Sequence, residues 1–338
     1  MKQARVGIIG AGRMGTVHTQ NLVNRIPEAE VIQIIDPDII RAQKLADDFS
    51  ISYTGTEIGS ILENERIDTV VITSPTDTHA EYIKELAKAG KHIFCEKPID
   101  LSLSVAKEAL SVVESSGVKF SVAFNRRFDT QFSRVMRLVE KGKIGKPEII
   151  AITSRDPEPQ IVEFVKSSGG MLVDMVIHDF DIARFIMGSE IVEVYSKGNV
   201  LIDPEIGKVG DIDTVVTSLL FENGALGTIN NSRRATYGYD QRMEVFGSKG
   251  MLEVKNISPD NFLFYSDSGI IKPLPYPYFI DRYREAFYQE MNHFISALVN
   301  EDELPVTGED GLKALAIGLA ATQSLKENRP VRIDEILN

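Results

Sequence analysis

The chain holds a single cysteine, Cys95. That excludes an intrachain disulfide, and equally a tetrahedral zinc site built on thiolates. No His-Glu-x-x-His motif occurs and no pair of carboxylates stands out at glycosidase spacing, so neither a zinc hydrolase nor a glycosidase is indicated. Positive charge is also short. Asp and Glu outnumber Lys and Arg by 49 to 37, a formal charge of −12, and the densest basic features are the pairs Arg126-Arg127 and Arg233-Arg234. Nucleic acid or an anionic membrane would need a basic face, so the partner expected is a small neutral molecule. Long hydrophobic runs are missing too. No window approaches the roughly 18 apolar residues of a membrane helix, and Val6–Ile9 is too short for the apolar region of a signal peptide. A cytoplasmic protein is the expectation.

What is present is ordinary globular composition, 43% hydrophobic and 25% charged over 338 residues, which suggests two domains with real cores. Arg5–Ile9 is a short β-branched run ending at glycines and reads as a buried strand. A helix over Met14–Arg25 and a strand over Val31–Ile35 follow. The same alternation continues with a helix Ile39–Phe49, strand Asp68–Thr73, helix Thr78–Ala89 and strand His92–Cys95, then helix Leu103–Ser115 and strand Lys119–Ala123. Strands alternating with helices of this length form right-handed βαβ units. Residues 1–124 are therefore expected to be a doubly wound parallel sheet, a Rossmann domain.

The rhythm changes in 125–338. A helix over Asp129–Glu140, a strand Glu148–Ser154 and one helix over Met171–Phe185 precede several strands between Ile191 and Val254. Helices at Glu285–Val299 and Gly311–Glu327 close the chain. This pattern predicts an α+β domain with a mostly antiparallel sheet, one face under helices and the other open. The open face is apolar enough to predict packing on further copies of the chain, as a dimer or tetramer.

Gly10-Ala11-Gly12-Arg13-Met14-Gly15 joins the first strand to the first helix. Its glycines permit a tight turn, close approach of a pyrophosphate and tight helix–strand packing, and the helix start offers N–H groups to phosphate. Asp36 ends the second strand, where a carboxylate can accept both ribose hydroxyls. It also selects. At roughly 5 Å and an effective dielectric near 20, each pair of like unit charges costs about 3 kcal/mol, so a 2′-phosphate is rejected and NAD is expected over NADP. Arg41, one helical turn on, can soften that preference but is poorly placed to reverse it.

Two features carry chemistry. Lys97, in Cys95-Glu96-Lys97-Pro98, follows a parallel strand at the sheet edge where ligands bind, and Pro98 ends that strand. The second is the helix expected over Met171–Phe185. It is apolar except for Asp174, His178 and Asp181, whose spacing of four and seven puts them on one stripe. A polar stripe in an apolar helix needs partners, either a ligand or an internal network. Asp179 and Arg184 are expected at solvent or a domain seam.

Together Gly10-Ala11-Gly12-Arg13-Met14-Gly15, Glu96-Lys97-Pro98 and Asp174-x-x-x-His178-Asp179 resemble the Gfo/Idh/MocA oxidoreductases, in order and over essentially the whole chain. Asn125-Arg126-Arg127-Phe128-Asp129, Thr153-Ser154-Arg155-Asp156-Pro157 and Tyr237-Gly238-Tyr239-Asp240 narrow the likeness to the inositol 2-dehydrogenases within that family. The segment Pro157-Glu158-Pro159-Gln160 departs from that narrower pattern. The resemblance implies that Lys97, Asp174 and His178 are catalytic. It implies that Gly10, Gly12, Arg13, Met14 and Gly15 hold pyrophosphate, with Asp36 on the ribose. Thr73, Ser74, Pro75, Glu96 and Lys97 would line the cofactor groove, and Arg126, Asp156, Asp174, His178 and Tyr237 or Tyr239 would meet substrate. The activity implied is NAD-dependent oxidation of a cyclic polyol, with a glucose-type sugar or sugar derivative as the alternative substrate. A dinucleotide-binding sensor without turnover and a redox-neutral reaction on tightly held NAD are the competing classes. His18, His92 and His293 read as packing residues, and His79 as a capping or supporting one. Arg233-Arg234 fits a pocket lining or an oligomer seam equally.

Overall fold

Strand β1 (Ala4–Ile9) is buried along nearly its whole length, as a strand covered on both faces must be. The elements that follow are α1 (Arg13–Arg25), β2 (Ala29–Ile35), α2 (Ile39–Phe49), β3 (Tyr53–Gly55) and α3 (Gly59–Leu62). Then come β4 (Thr69–Ile72), α4 (His79–Lys88), β5 (His92–Cys95), α5 (Leu103–Ser116) and β6 (Phe120–Val122). All six strands pair in parallel in the order β3-β2-β1-β4-β5-β6. The order reverses between β1 and β4, so a crevice opens at their carboxyl ends beside Gly10 and Thr73. This is the doubly wound sheet expected from the alternation. The edge strand β3 is an addition, three residues too short to leave a periodic signal.

The computed structural model describes residues 2–337. Beyond β6 the chain forms α6 (Thr130–Glu140), β7 (Pro147–Arg155), α7 (Val162–Ser167), α8 (Met171–Asp174), α9 (Ile177–Met187), β8 (Ile191–Asn199) and α10 (Pro204–Lys208). Next are β9 (Thr214–Phe221), β10 (Leu226–Ser232), β11 (Asp240–Gly247), β12 (Gly250–Val254), β13 (Phe264–Ser266) and β14 (Gly269–Ile271). Helices α11 (Phe279–Arg282), α12 (Arg284–Asn300) and α13 (Gly308–Glu327), strand β15 (Val331–Arg332) and helix α14 (Asp334–Leu337) complete it. Seven strands form a second sheet in the order β12-β11-β7-β10-β9-β8-β15. Every pair is antiparallel except β7 with β10. Along β9, β10 and β11 buried residues alternate with partly or fully exposed ones, so one face is covered and the other open.

Contacts divide the chain into two units: the chain up to Phe128 together with Glu285–Leu315, and Asp129–Arg284 together with the chain from Ala316 on. Helix α12 thus belongs to the first unit. Its Met291, Phe294, Ile295 and Leu298 pack in one cluster with Val6, Ile8, Ile34, Val71 and Phe94. Burying apolar side chains of this size stabilises by roughly 1.5–3 kcal/mol each, which fixes the helix where it is. Among the described residues no helix is long and apolar enough to cross a membrane.

The single helix expected over Met171–Phe185 is two, α8 and α9, broken at Met175-Val176. There the Val176 N–H reaches back five residues to the Met171 carbonyl (3.0 Å), and α9 restarts with Asp179 N–H on the Val176 carbonyl (2.8 Å). Asp174 and His178 are half-buried, whereas Asp181, one turn beyond His178 on the unbroken α9, is only 1% exposed, so only the first two stay accessible. Nor do Asp179 and Arg184 reach solvent. Asp179 is fully buried and accepts from Asn231 Nδ2 at 2.7 Å, and Arg184 clasps Glu190 at 2.6 and 2.9 Å.

Candidate active site

In the first unit the turn after β1 is built by close approach. Gly10 has φ +101°, and a Cβ there would meet the Thr73 carbonyl carbon and oxygen at 2.8 Å. A Cβ on Gly15 would overlap the Gly10 carbonyl oxygen. Thr73 Oγ1 lies within donating distance of the Ile9 (3.0 Å) and Gly10 (2.8 Å) carbonyls, tying the end of β4 to the turn. Gly12 differs, because nothing stands within 4 Å of its Cβ position. That side of the turn is open, and no side chain caps α1. Arg13 is exposed and Met14 half-buried beside it. Unclaimed space, helix-start N–H groups and a bare backbone suit a pyrophosphate.

Asp36 is fixed on both oxygens. Ala11 N–H donates to Oδ2 at 2.8 Å and Asp38 N–H to Oδ1 at 2.9 Å. The turn and the ribose-binding carboxylate are therefore one hydrogen-bonded piece. Arg41 pairs with Asp38 at 3.2 Å, leaving the acidic character of this corner intact. These residues fit NAD, which would rest its pyrophosphate on the Gly10–Gly15 turn and its adenosine ribose on Asp36.

Ser74, Pro75 and Lys97 share the carboxyl side of this sheet. Ser74 Oγ is 2.7 Å from Thr78 Oγ1, and Pro75 caps a short 3₁₀ turn at Thr76–Thr78. The Lys97–Pro98 bond is cis, and Lys97 and Glu96 are half-buried. Two histidines brace this edge. His18 Nε2 lies 3.0 Å from Glu96 Oε1, and the His18 ring, fully buried, stands edge-on to Phe94. His79 sits with Nδ1 2.8 Å from the Pro98 carbonyl and Nε2 2.9 Å from that of Ser74, joining the ends of β4 and β5. Burial lowers the His79 pKa below the ordinary histidine value, despite the opposing pull of the two carbonyls. Sequence periodicity assigned His18 to packing alone. Only its partner, 78 residues away, shows that it also holds Glu96. Arg126 lies in a buried 3₁₀ turn, Asn125–Phe128, anchored through Arg127 to Asp310 at 2.8 Å.

In the second unit the parallel pairing of β7 with β10 brings two strand ends together, with Arg155 opposite Ser232. Asp156 emerges from β7 with its N–H on the Ser232 carbonyl (3.0 Å), and Arg233 emerges beside it from β10. Antiparallel β11 begins at the same edge, Asp240 opposite Arg155, and brings Tyr237. Tyr237 donates its hydroxyl to Asp240 at 2.5 Å and accepts from Arg155 at 3.2 Å. Burial and the Asp240 carboxylate raise its pKa. Burial opposes ionisation of Asp240, but hydrogen bonds from Arg242, Tyr237 and Asn256 prevail and hold it below the usual carboxylate range. Of the two tyrosines named from the sequence, Tyr237 is 37% exposed and Tyr239 only 6%, its ring edge-on to Tyr283. Asp174 approaches this edge too, 3.8 Å from Arg233. Between Met171 and Met187 only Asp174, His178 and Phe185 are not buried. His178 follows the break and precedes Asp179, whose bond to Asn231 ties α9 to β10 two residues before Arg233. An imidazole, a carboxylate and a phenol thus stay accessible on this unit, the groups that move a proton and grip hydroxyls.

Residues 4–124 match the model of an oxidoreductase family with an NAD-binding Rossmann fold, and residues 132–253 that of the GFO/IDH/MocA C-terminal domain. An uncharacterized oxidoreductase of Bacillus subtilis is 47% identical over 98% of this chain and 97% of its own length. A myo-inositol 2-dehydrogenase of Thermotoga maritima is 42% identical, covering 98% and 99%. The crystal structure of a scyllo-inositol dehydrogenase of Lactobacillus casei, with NAD(H) and scyllo-inositol bound, superposes with TM-score 0.92 at 29% identity, over 98% of this chain and all of that one. By model, sequence and fold alike, the chain belongs to the GFO/IDH/MocA oxidoreductase family.

Proposed function

We propose that the protein oxidises a secondary alcohol of a cyclic polyol, an inositol, with NAD as acceptor. The observation that carries this is the pair Asp174 and His178, left accessible in an otherwise buried stretch of a chain that closely resembles named inositol dehydrogenases. His178 takes the hydroxyl proton, as imidazole exchanges protons near neutral pH. The Lys97 ammonium steadies the negative charge that grows on that oxygen. Asp174 accepts from a neighbouring hydroxyl and keeps the polyol in register. Asp156 and Tyr237 of the second unit and Arg126 of the first grip further hydroxyls. NAD, when bound, supplies the acceptor for the hydride leaving the carbinol carbon. Replacing His178 with Ala should slow turnover about 10²–10⁴-fold with NAD affinity intact. NADH formation across a panel of inositols, glucose and sugar derivatives is the assay. An unimpaired variant, or turnover of glucose with no turnover of any inositol, would overturn the reading.

Association into a homo-oligomer through the open sheet face belongs to the same proposal. Met251, Phe246, Ile149 and Leu226 are register partners across β12, β11, β7 and β10, forming an apolar row each 42–53% exposed. Cross-strand partners share a face, so the row is continuous. It should be covered by the same face of further copies, as a dimer or tetramer. Sedimentation at micromolar concentration should give a multimer that Ile149→Lys with Leu226→Lys dissociates. A wild-type monomer refutes it. A cytoplasmic setting completes the proposal, since a lone cysteine gains nothing from an oxidising compartment.

A further inference from the structure

Arg233 is the largest wholly buried side chain among the described residues. Its backbone is fixed by an N–H bond to the Asp213 carbonyl at 2.9 Å. Its Nη2 lies 3.8 Å from Asp174 Oδ2 and 3.7 Å from Asp211 Oδ2, and none of its side-chain nitrogens comes within hydrogen-bonding geometry of a protein acceptor. Three of the other buried arginines behave differently. Arg127, Arg184 and Arg282 close on Asp310, Glu190 and Asp129 at 2.6–2.9 Å, as guanidiniums that pin structure do. Asp211 is already committed. Both of its oxygens accept the Met171 N–H, at 3.0 and 3.1 Å, and Oδ1 fills the space where a Cβ on Gly170 (φ +81°) would stand. The start of α8 is held by Asp211, and its last residue is Asp174. A buried cation is costly unless it faces anions, and the two that this guanidinium faces, Asp174 and Asp211, both stand beyond hydrogen-bond distance.

We propose that Arg233 is a positioning residue for the dehydrogenation: it places a fixed positive charge behind Asp174 without closing on it, and so orients the carboxylate toward a substrate hydroxyl. The inference rests on the reading of Asp174 as a substrate-binding residue, and the experiment separates the two. Steady-state kinetics with myo-inositol and NAD are measured on the full-length protein carrying Arg233→Met, Arg233→Lys, Asp174→Asn and the Asp174→Asn/Arg233→Met pair, with NAD affinity measured alongside. Arg233→Met should lower kcat/KM for the polyol at least tenfold with NAD affinity unchanged, and Arg233→Lys should recover most of the loss. In the Asp174→Asn background, Arg233→Met should cost less than twofold further, because its effect passes through that carboxylate. Full activity in Asp174→Asn sinks the reading of the site and the proposal with it. An impaired Asp174→Asn whose loss multiplies with that of Arg233→Met overturns the proposal alone, as does an Arg233→Lys no better than Met. Should Arg233→Met fail to fold, the same cycle runs with Arg233→Lys. Its own severalfold loss must then vanish in the Asp174→Asn background, and persistence of that loss overturns the proposal.

Discussion

Asp36→Asn tests cofactor choice at its source. The carboxylate ends β2 and is gripped by the Ala11 and Asp38 N–H groups, one on each oxygen. A 2′-phosphate on the ribose would stand about 5 Å away, where each pair of unit charges repels by about 3 kcal/mol at an effective dielectric near 20. A phosphate with nearly two charges doubles that figure. Solvent screening at a half-exposed carboxylate takes back at least half, leaving about 3 kcal/mol, on the order of 100-fold in affinity. Arg41 does not offset it, since its guanidinium pairs with Asp38 at 3.2 Å. Asparagine keeps the shape and loses the charge, so the ratio of NADP to NAD affinity should rise on the order of 100-fold. NAD itself should weaken by about 1–2 kcal/mol, because one ionic acceptor becomes neutral and one backbone N–H loses its partner. The chain has no tryptophan to report binding, so isothermal calorimetry with both dinucleotides is the direct assay. A ratio unchanged within about threefold would refute the electrostatic argument and reduce Asp36 to a brace for the turn.

Two further outcomes follow from the first unit. Gly15→Ala should abolish tight NAD binding and lower the melting temperature, although alanine favours a helix by about 1 kcal/mol, because its methyl group overlaps the Gly10 carbonyl oxygen; calorimetry and thermal unfolding check both, and a variant as stable and as tight as the parent contradicts the close-approach account. His79 has a depressed pKa, chiefly from burial, so the unfolded chain binds its proton more readily than the folded one. Its stability contribution is present above the ordinary value of 6.5 and is lost as pH falls below it. The fall in melting temperature between about pH 7 and 5 should be shallower in His79→Gln, though not flat, since His92 is depressed in the same direction by burial. Equal slopes in parent and variant count against a neutral, buried His79.

The Rossmann half was legible because its strands are buried on both faces and its helices have one apolar stripe, two patterns that need no knowledge of partners. The short edge strand β3 and the hairpin β13–β14 carry three residues per strand, below the length at which alternation says anything. The break between α8 and α9 was invisible for another reason. Its sequence is apolar throughout, so periodicity cannot register the interruption. The cofactor turn, Asp36 and the carboxyl-end position of Lys97 could be located from local pattern alone. Arg233, His18 and Asn231 could not, because each acts through a residue at least 50 positions away.

Helix α12 packs its Met291, Phe294 and Leu298 against Val6, Ile34 and Phe94. A ribosome making this chain must therefore add about 160 residues after the last strand of the parallel sheet before the missing wall arrives. At roughly 5–20 residues per second, that leaves the nascent nucleotide-binding module with a bare oily flank for something like 10–30 seconds. Its completion, and hence its capacity to take up dinucleotide, is timed by the emergence of a segment encoded beyond the entire second unit's sheet apart from β15.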